Sequence, residues 1–459
     1  MQSFFKHSKN KSKTRCFNIL LFILLPFFAV GQYTISGSIH RFSFEKIYLY
    51  AFDGEKLALV DSVTTDANGA FLFETPLQKG MFELVTESQN SIPILYDGNP
   101  VQFVISNPSL FSEIDFVNSP HNQDWALYTQ VCDGVEYLKE LVKPVLREYT
   151  RSSDFYDEAK KEYNKLQFTL QELTDSLIAR NTFASRFIRA DRPLVVDVDL
   201  TFDQQRAYFI EHFFDETDFG DTLLIYSNVL STKLIDFLSL TQSANLNAQQ
   251  SQLNFITGID FILQKANENT RTYTFVVDYL LNGFSQLGLG MVVDYLVGLP
   301  HLNADCLETN DKLRLETLIE PYQKIKIGSK APEIETETIA GNTFDLYALK
   351  AKTTLIYFWS ITCPHCLEMM NDLTKLVREK PEITLVTVMT GFSNTVYKDF
   401  IEKEHIPGHH ICDNLSWDSP IIKDYHVVGT PTLFVLNDLK TIVQKPYDFE
   451  ELQLFLNKK

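Results

Sequence analysis

The apolar positions of this chain change their period twice. Between residues 32 and 118 they alternate. Segments 33–39 and 46–50 run apolar, polar, apolar, as half-buried strands do. Asp66-Ala67-Asn68-Gly69 marks a turn ahead of segment 70–74, which predicts a hairpin. Segments 81–85 and 101–105 complete a small antiparallel β domain, placed at 32–118. From 119 to 325 the period becomes helical. Stripes at 137–149, 155–178, 202–214, 223–240, 253–263 and 274–296 predict an all-α domain, closed by 313–322. Gly288 and Gly290 interrupt the sixth stripe. Phe213, Phe214, Phe255, Phe261 and Phe275 lie in these stretches and are read as core, because buried helical faces need such side chains. Beyond 326 the two periods mix. A buried strand at 354–359, a helix at 367–380 and a central strand at 383–389 come first. A helix at 394–405, strands at 433–436 and 441–443 and a final helix at 448–456 follow. This predicts an α/β domain at 326–459, and so a multidomain chain of three units.

Residues 1–31 belong to none of these. Lys6, Lys9, Lys11, Lys13 and Arg15 form a basic head without an acid, and 17–30 is apolar. Ala29 and Gly31 are small residues at the offsets of a cleavage site, so 1–31 is expected to be a signal peptide. Its apolar run is short for a membrane span and is broken by Pro26. Cys16 precedes the apolar run, so no lipid-anchored form is expected. The expected location is the periplasm or cell envelope. Removing the five leader cations leaves 36 basic against 59 acidic residues, near −23. Nucleic acid and anionic membrane surfaces are poor partners for such a chain.

Export also implies an oxidising compartment, where thiol–disulfide chemistry has substrates. Five cysteines follow the leader: Cys132, Cys306, Cys363, Cys366 and Cys412. Whether Cys132 and Cys306 pair is left open by the sequence. Cys412 lies in an apolar stretch and reads as a buried thiol. Cys363-Pro364-His365-Cys366 is different. It sits between the apolar run 354–359 and a helical stripe carried by Leu367, Met370, Leu373 and Val377. Cys363 therefore falls at a helix N-terminus, where unpaired N–H groups and the dipole favour a thiolate. Pro364 suits a first helical turn, where its missing N–H costs nothing. A zinc site would need two further ligands, and the nearby cluster is only His409, His410 and Cys412. No cofactor or metal is expected.

Trp359 four residues before Cys363, the CxxC at a strand-to-helix turn, and Gly429-Thr430-Pro431-Thr432 ahead of the apolar run 433–436 together resemble the thioredoxin superfamily. The opening Ile327-Gly328-Ser329-Lys330-Ala331-Pro332 and the Gly341-Asn342 turn before Phe344 and Leu346 are similar to the exported TlpA- and ResA-like branch. Val60-Asp61-Ser62 with Asn68-Gly69-Ala70-Phe71 resembles the β-rich module that precedes this domain in such proteins, and 119–325 resembles their helical insert. The Pro-x-x-x-Thr-x-x-Cys pattern of single-cysteine peroxidases is absent.

The resemblance implies a thiol:disulfide oxidoreductase that reduces or isomerises protein disulfides. Cys363 would be the nucleophile and Cys366 the resolving thiol, with His365 favouring the thiolate and Pro431, in a cis peptide, beside the pair. Trp359, Pro364 and Thr430 would meet the substrate. Protein thiols and disulfides would be partners, with a membrane-bound reductant as a further one. Cys-Pro-His-Cys itself is the motif of the oxidant DsbA, so motif and branch point in opposite directions. Two departures stand out. The buried Asp of thioredoxins is replaced by Tyr357, and the Glu of ResA-like proteins by Met369, with Glu368 one place short. Water or Glu368 would then accept the Cys366 proton. Two other readings stay open: a scaffold protein with a docking thioredoxin-like domain, and a metal- or haem-handling thiol protein.

Overall fold

The structure is a computed structural model that describes residues 34–75, 77–106, 114–243, 246–299, 309–391 and 393–457. The expected leader, Cys16 and Cys306 lie outside the described residues.

The N-terminal strands are β1 (Ile35–Ile39), β2 (Lys46–Asp53), β3 (Lys56–Thr64), β4 (Ala70–Phe73), β5 (Gly80–Thr86), β6 (Ser91–Tyr96), β7 (Val101–Ile105) and β8 (Asp115–Phe116). They form two four-stranded sheets, ordered β4-β1-β7-β8 and β3-β2-β5-β6. Period-two alternation explains how these sheets pack. Ile47, Leu49, Phe82, Leu84, Ile92 and Ile94 face Ile35, Phe73, Val101 and Phe103 of the other sheet in one core. Phe52, Met81 and Leu95, one residue out of phase, point the other way and join the core of the helical domain. The second sheet is thus covered on both faces.

Three sequence expectations change here. The Asp66–Gly69 turn exists, with Asp66 Oδ1 accepting from the N–H of Asn68 and of Ala70 and Gly69 at φ +77°. It joins strands of different sheets, however, so β3 and β4 are not a hairpin. The domain is also not wholly antiparallel. The chain crosses to the second sheet and back between β1 and β7, which therefore pair in parallel, Ile35 opposite Val101. Strands β3 and β6 were not foreseen. The first half of β3 is exposed, so it carries little alternation. Pro93 masks β6, which tolerates a proline because it is an edge strand.

The middle of the chain folds into α1 (Pro120–Glu148), α2 (Asp154–Ala179), α3 (Ser185–Asp191), α4 (Phe202–His212), α5 (Val229–Leu240), α6 (Ala248–Ala266), α7 (Thr270–Gln286), α8 (Gly290–Val297) and α9 (Thr309–Lys324). Of the aromatic residues named from sequence, Phe214 and Phe275 are buried core, and Phe213, Phe255 and Phe261 pack half-buried against it. Phe214, Phe237 and Phe261 pack in a row with centroids 4.9 and 5.2 Å apart. The stripe at 274–296 is two helices. Gly288, at φ +71°, makes the turn between α7 and α8 that a side chain would resist.

The C-terminal part contains β9 (Glu335–Glu337), β10 (Thr343–Asp345), β11 (Thr353–Trp359), α10 (Pro364–Glu379), β12 (Ile383–Met389), α11 (Asn394–Glu404), β13 (His409–Ile411), α12 (Pro420–Asp424), β14 (Thr432–Leu436), β15 (Ile442–Gln444) and α13 (Phe449–Asn457). A five-stranded mixed sheet runs β13-β12-β11-β14-β15, with β11 parallel to β12 and antiparallel to β14. Every residue of β11 is buried, as its unbroken apolar run requires of a central strand. This domain is tied to the helical one. Lys445 Nζ pairs with the Asp294 carboxylate of α8, both largely out of solvent, and Asp294 Oδ2 also accepts from the Ile327 N–H at 3.1 Å.

Candidate functional site

β11 ends at Trp359 and α10 begins at Pro364, so the two cysteines occupy the turn between the central strand and its helix. Cys363 is the N-cap. Its Sγ accepts from the Cys366 N–H at 3.2 Å, filling the place that a Ser or Asp oxygen fills in other helices. Pro364 follows at the first helical position. The Cys363 and Cys366 sulfurs are joined in a disulfide. Their environments differ. Cys363 is half-buried, whereas Cys366 is wholly buried beneath the helix. Attack from outside therefore reaches Cys363 first.

The facing loop arrives from the start of β14. The Thr430–Pro431 peptide is cis, and the Thr430 carbonyl lies 3.7 Å from Cys363 Sγ. Thr430, Pro431 and Thr432 are all half-buried, at the rim of a groove of about 470 Å3. His365, Glu368, Met369 and Asp372 of α10 form a second side of it, Tyr447, Asp448 and Phe449 a third. The fourth side comes from the helical domain: Ser285, Gln286, Leu287 and Gly288, at the turn between α7 and α8.

The structure brings His365, Thr430 and Pro431 to one groove, with Cys363 Sγ 3.7 Å from the Thr430 carbonyl, Pro364 exposed at the start of α10 and Cys366 buried beneath it. It does not bring Trp359 there. Trp359 is completely buried, packed on Tyr397 and Phe400, so it has no surface to offer a substrate. The reason is its place: it is the last residue of a strand covered on both faces. His365 stands in solvent with its Nδ1 3.6 Å from a Glu368 oxygen. Glu368 does not approach Cys366. Residues two apart on a helix point in different directions, and here one is exposed while the other is buried. Tyr357, where thioredoxins place an acid, donates its hydroxyl to the Cys366 carbonyl at 2.9 Å. Burial pushes its phenol far above the usual range, so it is a hydrogen-bond donor and no base.

Sequence reasoning missed a buried polar chain behind the site. Trp359 Nε1 donates to the Tyr397 hydroxyl at 3.3 Å, Tyr397 bonds Thr387 Oγ1, and Thr387 Oγ1 meets His410 Nδ1 at 2.8 Å. His410 Nε2 lies 3.0 Å from the Ile406 carbonyl. A carbonyl only accepts, so Nε2 carries the proton and Nδ1 accepts from Thr387. Every link then runs the same way, from indole to imidazole. Burial lowers the His410 pKa to about 4, which keeps the ring neutral and the direction fixed. His410, weighed from sequence only as a metal ligand, is thus committed to this chain. Among the described residues no group of three metal-ligating side chains comes together.

Residues 327–445 match the model of the AhpC/TSA family. The C-terminal part of the chain is a thioredoxin-like domain of that family. Residues 181–282 and 33–125 match two domains of unknown function, DUF5106 and DUF4369. The thioredoxin-like domain is similar to "Thioredoxin-like protein YneN" of Bacillus subtilis (strain 168), with 27% identity over 138 residues, 28% of this chain and 76% of that one. It is similar also to "Thiol-disulfide oxidoreductase ResA" of Bacillus thuringiensis subsp. konkukian (strain 97-27), 24% identical over 142 residues, 30% of this chain and 80% of the relative. A solved thioredoxin-like protein from Bacteroides caccae aligns with 57% of this chain and 97% of its own, at 18% identity and a TM-score of 0.37.

Proposed function

We propose that this protein is an exported thiol:disulfide oxidoreductase whose thioredoxin-like domain reduces or isomerises protein disulfides through Cys363 and Cys366. One observation carries the reading: two cysteines within one helical turn, the first half-exposed at the helix N-terminus, the second buried. In the reduced protein the Cys363 thiolate would be held by the Cys366 N–H and the α10 dipole. It attacks one sulfur of a substrate disulfide. A Cys363–substrate bond forms, the substrate S–S bond breaks, and one substrate thiolate leaves. Cys366, having lost its proton, attacks Cys363 Sγ, re-forms the internal disulfide and releases the second substrate thiolate. Two electrons pass to the substrate, and a dithiol donor, expected at the membrane, restores the pair. In isomerisation a substrate thiolate attacks a second substrate disulfide, and the thiolate released from it displaces Cys363 from the mixed disulfide. With the Tyr357 phenol held protonated by burial and Glu368 turned outward, water is the acceptor for Cys366, which predicts a slow resolving step. Pro431 would lie against the bound sulfur, while Pro364 and the Thr430 backbone line the approach.

Export rests on the leader at 1–31. No helix among the described residues is long and apolar enough to cross a membrane. The half-exposed Cys363 counts against a docking-only role.

The test is a trap. Cys366→Ser is expected to accumulate mixed disulfides through Cys363 in the cell envelope, and Cys363→Ser none. Alkylation of the reduced protein should label Cys363 before Cys366. Absence of mixed disulfides, or Cys366 labelled first, would remove the assignment. A pair found mostly disulfide-bonded in growing cells would reverse the direction to oxidation.

A further inference from the structure

One wall of the groove beside the redox pair comes from the helical domain. Leu287 sits at the tip of the α7–α8 turn and is 61% exposed. Tyr447 lies beside the same turn, its ring 3.9 Å from where a Cβ on Gly288 would stand, and is 47% exposed. The turn is not there by loose contact. The backbone of Gly429, beside the cis-proline loop, lies close enough to the Gln286 carbonyl that a Cβ would stand 3.6 Å from it. At Gly290 the corresponding distance to Lys445 is 3.1 Å, and the Asp294–Lys445 pair clamps the same region. The wall is therefore held beside the cis-proline loop, whose Thr430 carbonyl lies 3.7 Å from Cys363 Sγ. The groove is lined by three carboxylates, Glu368, Asp372 and Asp448, against the single imidazole of His365.

We infer that the helical domain determines substrate choice. Leu287, near Tyr447, receives an apolar side chain next to the reacting cysteine of an extended polypeptide, and the three carboxylates favour lysine or arginine in the same segment. The occupant is thus a cysteine-bearing basic-apolar segment of an unfolded or flexible protein. Small anionic disulfides are disfavoured by the same charges. The inference rests on the thiol:disulfide exchange proposed above and names the substrate class of that site.

Three probes separate the two ideas in the full-length protein: hydroxyethyl disulfide, a short peptide disulfide with Leu and Lys beside its cysteine, and the same peptide with Glu for Lys. The Lys peptide should be reduced faster than the Glu peptide, by about tenfold at low salt, and the difference should shrink as salt is added. Leu287→Ala should lower kcat/KM for the Lys peptide, relative to hydroxyethyl disulfide, by about five- to tenfold, chiefly through KM. Asp372→Asn should narrow the Lys-to-Glu ratio. Ratios left unmoved by Leu287→Ala and Asp372→Asn would overturn the inference alone. Failure to reduce any of the three disulfides would overturn the exchange reading and this inference with it.

Discussion

Cys363 and Cys366 are the same residue type three positions apart, and their different fates come from the helix between them. The first caps α10 and takes the Cys366 N–H, and the second faces inward with the apolar stripe of Met369, Met370 and Leu373. His365 stands in solvent beside Glu368. A neighbouring imidazolium stabilises the reduced, thiolate form and raises the reduction potential. His365→Ala is therefore expected to lower the potential of the Cys363–Cys366 couple. Exposure keeps the effect small, on the order of ten to thirty millivolts. Equilibration with glutathione measures it, and an unchanged or raised potential would show that the imidazole has no such role.

The element scale is governed by β11 and what lies behind it. The strand is apolar throughout, yet its terminal Trp359 carries an indole N–H that must find an acceptor in the core. The chain through Tyr397, Thr387 and His410 supplies it and ties β11 to α11, β12 and β13. Burial depresses the folded-state pKa of His410 to about 4, below the ordinary 6.5 of an unfolded chain. Between those values the unfolded state binds more protons. Stability from this group is then complete above pH 6.5 and is lost as the pH falls towards 4, by about 3 kcal/mol in all. His409 and His426, both also lowered by burial, act in the same direction. His410→Asn offers Thr387 an acceptor without a titrating ring. Denaturant unfolding at pH 7 and pH 4.5 should therefore show a smaller acid loss for the variant, and an equal loss would exclude His410 as a source.

At the scale of the whole molecule, three units share two junctions. Phe52, Met81 and Leu95 join the β-rich module to the helical core, and Asp294–Lys445 joins the helical core to the redox domain. Burial pulls the Lys445 pKa down while Asp294 holds it up, and removing the acid leaves the lysine desolvated and unpaired. Asp294→Ala also deprives the Ile327 N–H of its acceptor. The variant is expected to lose about 3 kcal/mol of coupling across this junction. In calorimetry the redox domain should melt separately from the rest, and limited proteolysis should cut near residue 326. A single unshifted transition would mean that the junction is held elsewhere.

Much of this protein is legible without coordinates because the governing interactions are local. Period-two and 3.6-residue patterns marked β12 at 383–389 and most helices, since a strand or helix that buries one face must repeat at its own period. Proline after Cys363 and glycine at 288 located a helix start and a turn for similar backbone reasons. Patterns fail where burial is set by distant partners. β3 is largely exposed and β6 carries Pro93, so neither announces itself, and nothing local says that β1 will lie parallel to β7. The site divides along the same line. The Cys363–Cys366 pair, three residues apart, is written in the chain. That Trp359 is buried and that Leu287 lines one groove with Tyr447 are products of packing between segments far apart in sequence. Only the tertiary structure brings those segments together.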